Sequence, residues 1–244
     1  MGFGLIIAGF VLLVNPVINV FDVIPDAIGF ALFVAGLTKL AYFVDGVSKA
    51  RSMFFKLTLV ELLKIASIFL IVGDVNSGST KVLLSFVFGL AEAIMFTIAA
   101  IRLFEGISFS GLLYHGTNVH GTANRSGKKK DALTKTRNFI IFFYIFRCVA
   151  TLVPELTELQ MYDYIGTVHS VSRPLTFFKP PLYVLFGIIT VILGVICAVK
   201  IAKYFGGLAK DKTYCDTFRE TYLDARENRP SFFLAHRMMT SLML

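Results

Sequence analysis

Charge is scarce in this sequence. Asp, Glu, Lys and Arg make up only 16% of the 244 residues against 56% hydrophobic, and the mean hydropathy is +0.72. That excludes a soluble globular domain, which must keep a charged surface wet. Cysteine is also scarce. Cys148, Cys197 and Cys215 have no recognisable ligand spacing, and the first two sit in apolar runs where a thiol behaves as a small hydrophobe. No disulfide framework, metal site or cofactor is expected. A basic n-region is missing ahead of the apolar amino terminus, which argues for a retained first span rather than a cleaved signal peptide. The motifs G-x-x-x-x-G-K-[ST], H-E-x-x-H and G-x-S-x-G are absent. His115 and His120 stand five apart with no accompanying carboxylate or thiol, a poor metal pair, and His169 and His236 are isolated. The reading leans away from an enzyme.

What is present is a set of long apolar runs. A helix needs about 20 residues to cross a hydrocarbon core of about 30 Å. Six runs approach that size: Met1 to Phe21, Ala27 to Val44, Phe54 to Gly73, Val82 to Phe104, Phe139 to Thr157 and Pro181 to Phe205. The class is therefore all-α, a polytopic transmembrane helix bundle of about six spans. Lys and Arg test the orientation, because they are retained on the cytoplasmic side. Nineteen of the 24 fall on one set of alternate loops, three (Lys81, Arg173, Lys179) on the other, and Lys64 and Arg147 lie within spans. A missed or spurious helix would scramble this segregation. It places the amino terminus in the cytoplasm of a multi-pass protein of the cell membrane, and it accounts for the net charge of +8 through an anionic inner leaflet rather than nucleic acid.

The bundle is expected over 1–205, with a cytoplasmic loop at 105–138 rich in Gly, Ser, Thr and Lys. Its Lys128-Lys129-Lys130 run suits anionic lipid headgroups, although a solvated flexible linker is the plainer reading. In 206–230, Tyr214, Phe218, Tyr222 and Ala225 recur at helical spacing until Asn228-Arg229-Pro230. This reads as a cytoplasmic amphipathic helix, lying on the membrane or docked on the spans. Residues 231–244 are apolar from Phe232 but too few to span, so they are either an incomplete seventh helix or an interfacial segment.

The stretch from Asn15 to Gly29 is the most patterned. Asp22 is placed to cap the second helix, Pro25 falls in its first turn, Asp26 lies near the positive end of its dipole, and Pro16 would kink the first span. The combination Asp22-x-x-Pro25-Asp26-x-Ile28-Gly29, followed by an apolar helix ending in Gly36-Leu37-x-Lys39-Leu40, resembles a hairpin of uncharacterised multi-pass membrane proteins of Gram-positive bacteria. The resemblance covers about a sixth of the chain; it implies a bacterial cytoplasmic membrane and no particular activity. Asn15, Asn19, Asp22 and Asp26 also recur at steps of four, three and four, a spacing that would bring four oxygen-bearing side chains to an outer-side cation, but turn and cap roles already explain these residue types.

Four charges lie inside the spans: Glu61 and Lys64 in the third, Glu92 in the fourth and Arg147 in the fifth. Insertion costs about 2.5–3.5 kcal/mol for Asp, Lys or Arg at a helix centre, so they should face one another or a wet cavity. Glu61 with Lys64, three apart on one helix, and Glu92 with Arg147 between helices are expected pairs, and an exchange of partners is equally allowed. Glu155, beside Pro154 near the outer end of the fifth span, is the expected entry point. Three functions remain open. The leading one is a non-enzymatic scaffold or regulator with a protein partner in the bilayer; the second is a transporter or channel for a small solute or ion. The last is a lipid-active enzyme, for which Asp45-Gly46-Val47-Ser48-Lys49-Ala50-Arg51 is similar to the opening motif of alcohol phosphatidyltransferases, but with spacing off by one residue and no downstream aspartates.

Overall fold

The computed structural model describes residues 2–14, 17–18, 21–22, 26–42, 44–72, 78–114, 126–157, 161–165, 168–172 and 176–210, with scattered positions from 212 to 223. Six helices dominate: α1 (Phe3–Leu13), α2 (Asp26–Ala41), α3 (Asp45–Val72), α4 (Gly78–Tyr114), α5 (Ser126–Leu156) and α6 (Lys179–Lys210). Consecutive helices pack on one another in antiparallel fashion, and α6 returns against α1, closing a six-helix ring. Two short antiparallel hairpins accompany the helices: β1 (Val17–Ile18) with β2 (Phe21–Asp22), and β3 (Met161–Ile165) with β4 (Val168–Ser172). The class is all-α.

Three segments are long and apolar enough to cross a membrane: Phe86–Ser108 in α4, Leu133–Pro154 in α5 and Lys179–Lys210, which is α6. Their lipid-type surface is plain from Leu83, Val87, Leu90 and Ile94 on α4 and Val184, Ile188, Ile192 and Val195 on α6, all more than half exposed. The helix α3 has the length, but Lys56, Glu61 and Lys64 interrupt its apolar character. The first two expected spans are shorter as helices than their apolar runs. With 11 and 16 residues, α1 and α2 reach about 16 and 24 Å at 1.5 Å per residue. The reason lies at the prolines. Pro16 and Pro25 bias Asn15 and Ile24 away from helix, so α1 ends at Leu13 rather than kinking through Pro16, and α2 starts at Asp26. Asp22 consequently sits in β2 opposite Val17, four residues before the helix, and not at its cap.

Glycine sets how closely α1 and α2 approach. A Cβ on Gly9 would lie 2.7 Å from the Gly29 carbonyl oxygen, and one on Gly36 would lie 2.8 Å from that of Gly2. Only a bare backbone fits, the small-residue packing that membrane helices use where lipid gives no hydrophobic drive. The same device joins α3 to α4, where Gly46 and Gly106 meet. The expected loop at 105–138 is largely helical: α4 runs on to Tyr114, with Gly106 against Val47 and Ile107 buried, and α5 begins at Ser126. Beyond Lys210, Phe218 is buried in the main core and Cys215 packs against it, so this segment is docked on the protein at that point. Tyr214, Tyr222, Ala225 and residues 231–244 lie outside the described residues.

Candidate functional site

Charge and aromaticity are layered in the bundle. Glu61 lies eleven residues before the end of α3, Glu92 fourteen after the start of α4, and Arg147 nine before the end of α5. Because neighbouring helices alternate in direction, these positions fall at a similar level. Asp26 opens α2 at that level too, since α1 and α2 stop short. One turn away on the same faces stand aromatic residues: Phe30 four after Asp26, Phe96 four after Glu92, and Tyr144 three before Arg147. They meet in the core with Phe54. Phe96 stacks on Tyr144 with centroids 3.8 Å apart, and Phe30 lies 6.2 to 6.3 Å from Phe54, Phe96 and Tyr144. This layer closes one side of the charge cluster with dry aromatic surface.

The pairing combines expected contacts with one that was not expected. Lys64 Nζ does reach Glu61 Oε2, at 3.5 Å, but its shorter contact is to Glu92 Oε1, at 3.0 Å. Arg147 binds Asp26 instead of Glu92: Nη1 donates to Oδ2 and Nη2 to Oδ1, the latter at 2.9 Å, a bidentate fork that joins α5 to α2 across 121 residues of sequence. Asp26, Glu61, Glu92 and Arg147 are each at most 4% exposed. Burial of charge is costly without an ion pair, and here Arg147 is paired with Asp26 and Lys64 with Glu92. Two interhelical ion pairs thus tie α3 to α4 and α2 to α5 at one level.

Asp26 therefore belongs to the charge cluster and not to an outer-side set. Asn15 and Asn19 lie outside the described residues, and Asp22 is described only in its backbone. The oxygens of Asp26, Glu61 and Glu92 lie within 4.8 Å of one another. The hydroxyl of Tyr144, fully buried, is within electrostatic reach of all three and has no hydrogen-bond partner among the described residues. Four threonines in the helices are satisfied locally: Thr38, Thr58, Thr97 and Thr151 each donate to the carbonyl four residues back.

Beside Arg147, between α5 and α6, a half-open cavity of about 20 Å³ is lined by Ala150, Thr151, Tyr183, Phe186, Gly187 and Thr190. It has room for roughly one water molecule. Glu155 has its backbone in α5, but its side chain lies outside the described residues. Asp45, of the motif similar to phosphatidyltransferases, is an exposed helix-start residue paired with Lys49 at 2.7 Å. The acidic side chains that converge among the described residues are those of the buried cluster. Tyr144 and Thr190 escaped the sequence reading as site residues, and Asp26 was read with Asn15, Asn19 and Asp22 rather than with the charges inside the spans. The signal for them was the aromatic spacing beside each charge. No family model, curated protein or solved structure matches the chain.

Proposed function

We propose that the chain is a six-span integral membrane protein of a bacterial cytoplasmic membrane, amino terminus inside, that acts as a non-enzymatic scaffold or regulator. The observation that carries this reading is the charge cluster: two buried interhelical ion pairs fix α2 against α5 and α3 against α4. Such pairs specify which helices are neighbours, a task that apolar packing in lipid performs poorly. Six antiparallel helices in a ring agree with six crossings, the first two combining short helices with the β1–β2 pairing. The segregation of Lys and Arg supports the orientation. The basic segments would then face anionic lipid and a protein partner on the inner side.

Topology is tested by single-cysteine labelling in a variant with Cys148, Cys197 and Cys215 replaced by Ser. A membrane-impermeant maleimide is expected to label His169→Cys in intact cells and Lys129→Cys only after permeabilisation. The reverse pattern, or equal labelling of both, would refute it. A second reading, movement of a small ion, is favoured by the cavity at Arg147 and is limited by its size to an ion or water. Ion flux into liposomes carrying the purified protein, lost on Thr190→Leu, would establish that reading over the first.

A further inference from the structure

Among the described residues, the charges of the cluster do not sum to zero. Asp26, Glu61 and Glu92 bring three negative charges and Lys64 and Arg147 two positive ones, all within one buried layer. The α2 amino terminus adds only about half a positive charge. A net negative charge in so dry a place is costly. Tyr144 is a separate observation. Its ring is held by Phe96, so a phenylalanine would pack as well, yet it carries a fully buried hydroxyl with no hydrogen-bond partner among the described residues. An unsatisfied buried hydroxyl costs about 1–3 kcal/mol, which its neighbours in the carboxylate layer could recover only through something bound between them.

We propose that Asp26, Glu61, Glu92 and the Tyr144 hydroxyl bind one monovalent cation of the sodium class. Hard oxygen ligands suit such an ion. Geometry agrees: ligands about 2.3–2.6 Å from a cation stand up to about 5 Å apart across it, and the three carboxylates already lie within 4.8 Å of one another. Magnesium, with ligands at about 2.0–2.1 Å, needs a tighter cage and usually keeps several waters, for which the aromatic layer leaves no room. Charge also decides, because a monovalent ion brings the cluster to neutrality and a divalent one overshoots. A water-sized cavity lined by Thr151, Tyr183 and Thr190 reaches Arg147, the partner of Asp26, and is the nearest described opening. The site is independent of the scaffold reading: an ion can lock the bundle as well as pass through it.

The test is thermal unfolding of the purified full chain in detergent, in sodium, potassium or choline chloride at constant ionic strength, with equilibrium dialysis of radioactive sodium as a direct readout. Wild type is expected to show a saturable rise in Tm with sodium, larger than with potassium and absent with choline. Tyr144→Phe, which keeps the stacked ring, should weaken the apparent sodium affinity about tenfold, and Glu61→Gln should abolish the response. Glu105→Gln, on the exposed surface, should leave it unchanged. Equal Tm in the three salts would overturn the site, as would a sodium response that survives both cluster variants, or stabilisation by acid with none by sodium. Labelling of His169→Cys and Lys129→Cys reports the topology separately, so either conclusion can fail without the other.

Discussion

Removing the Arg147 guanidinium should be among the most damaging single changes in the protein. Arg147→Met strips Asp26 of a bidentate partner and moves the cluster from one excess negative charge to two, with every carboxylate at most 4% exposed. Breaking a buried pair by removing one partner costs about 3–5 kcal/mol. For a chain of this size each kcal/mol lowers Tm by about 2–4 °C, so a fall of about 10 °C or more is expected. Asp26→Asn should cost less, about 1–3 kcal/mol, because it also removes the excess charge and leaves Arg147 next to two other carboxylates. The double variant returns the cluster to its original net charge without an abandoned partner. It should be more stable than the sum predicts, with a coupling of about 2 kcal/mol. The same cycle built with Glu92→Gln should show less than about 0.5 kcal/mol, since Glu92 is held by Lys64 at 3.0 Å. The assay is thermal unfolding in detergent of wild type, three singles and two doubles. Additivity of Asp26→Asn with Arg147→Met, or stronger coupling to Glu92, would refute the assigned pairing.

Three further outcomes follow from packing. Gly9→Ala places a methyl 2.7 Å from a backbone oxygen that has nowhere to go, and should destabilise by about 1–3 kcal/mol, while Gly89→Ala, with nothing within 4 Å, should stay within about 0.5; parallel melts decide it. Phe96→Ala removes the ring stacked on Tyr144 and should cost about 3–5 kcal/mol in the same assay. Phe218→Ala should loosen the segment beyond Lys210, read as faster maleimide labelling of Cys215 and new proteolysis after residue 210; unchanged rates would mean that Phe218 does not hold it.

Element existence was legible because apolar runs must become helices where water is excluded, and each of the six runs contains one. Their ends were not. Hydropathy marks where a helix is apolar, whereas Glu105 to Tyr114 and Ser126 to Asn138 are helical through contacts or continuity that hydropathy does not record. Gly106 reads as a loop signal in one dimension and is a point of close approach in three. The charges were legible for the same reason that they are costly: Glu61, Lys64, Glu92 and Arg147 interrupt apolar runs. Their partners were not legible, because periodicity says which residues share a face but not which helices face each other. Asp26 was hidden by its surroundings. Beside Pro25 it reads as helix-start chemistry, and only the early end of α1 and α2 carries it down to the level of Arg147. The β3–β4 pairing went unnoticed among what read as short outer loops, although Tyr162, Tyr164, Val168 and Val171 are residue types that favour strands.

Glu61 is where structure and ion binding make opposite demands. Without it, Asp26 with Arg147 and Glu92 with Lys64 form two complete pairs, and the layer is neutral. Its own contact with Lys64, at 3.5 Å, is longer than that of Glu92, so it adds little to the network that its like-charged neighbours do not take back. Glu61→Gln keeps the shape and removes the excess charge. In choline chloride it should therefore melt as high as wild type or higher, by the few degrees that about 1 kcal/mol represents. In saturating sodium the order should reverse, because wild type gains a bound ion and the variant does not. A cluster kept for structure alone predicts the same ranking in both salts. Reversal of the ranking is therefore the outcome that gives Glu61 a function in ion binding, and an unchanged ranking would overturn the ion site.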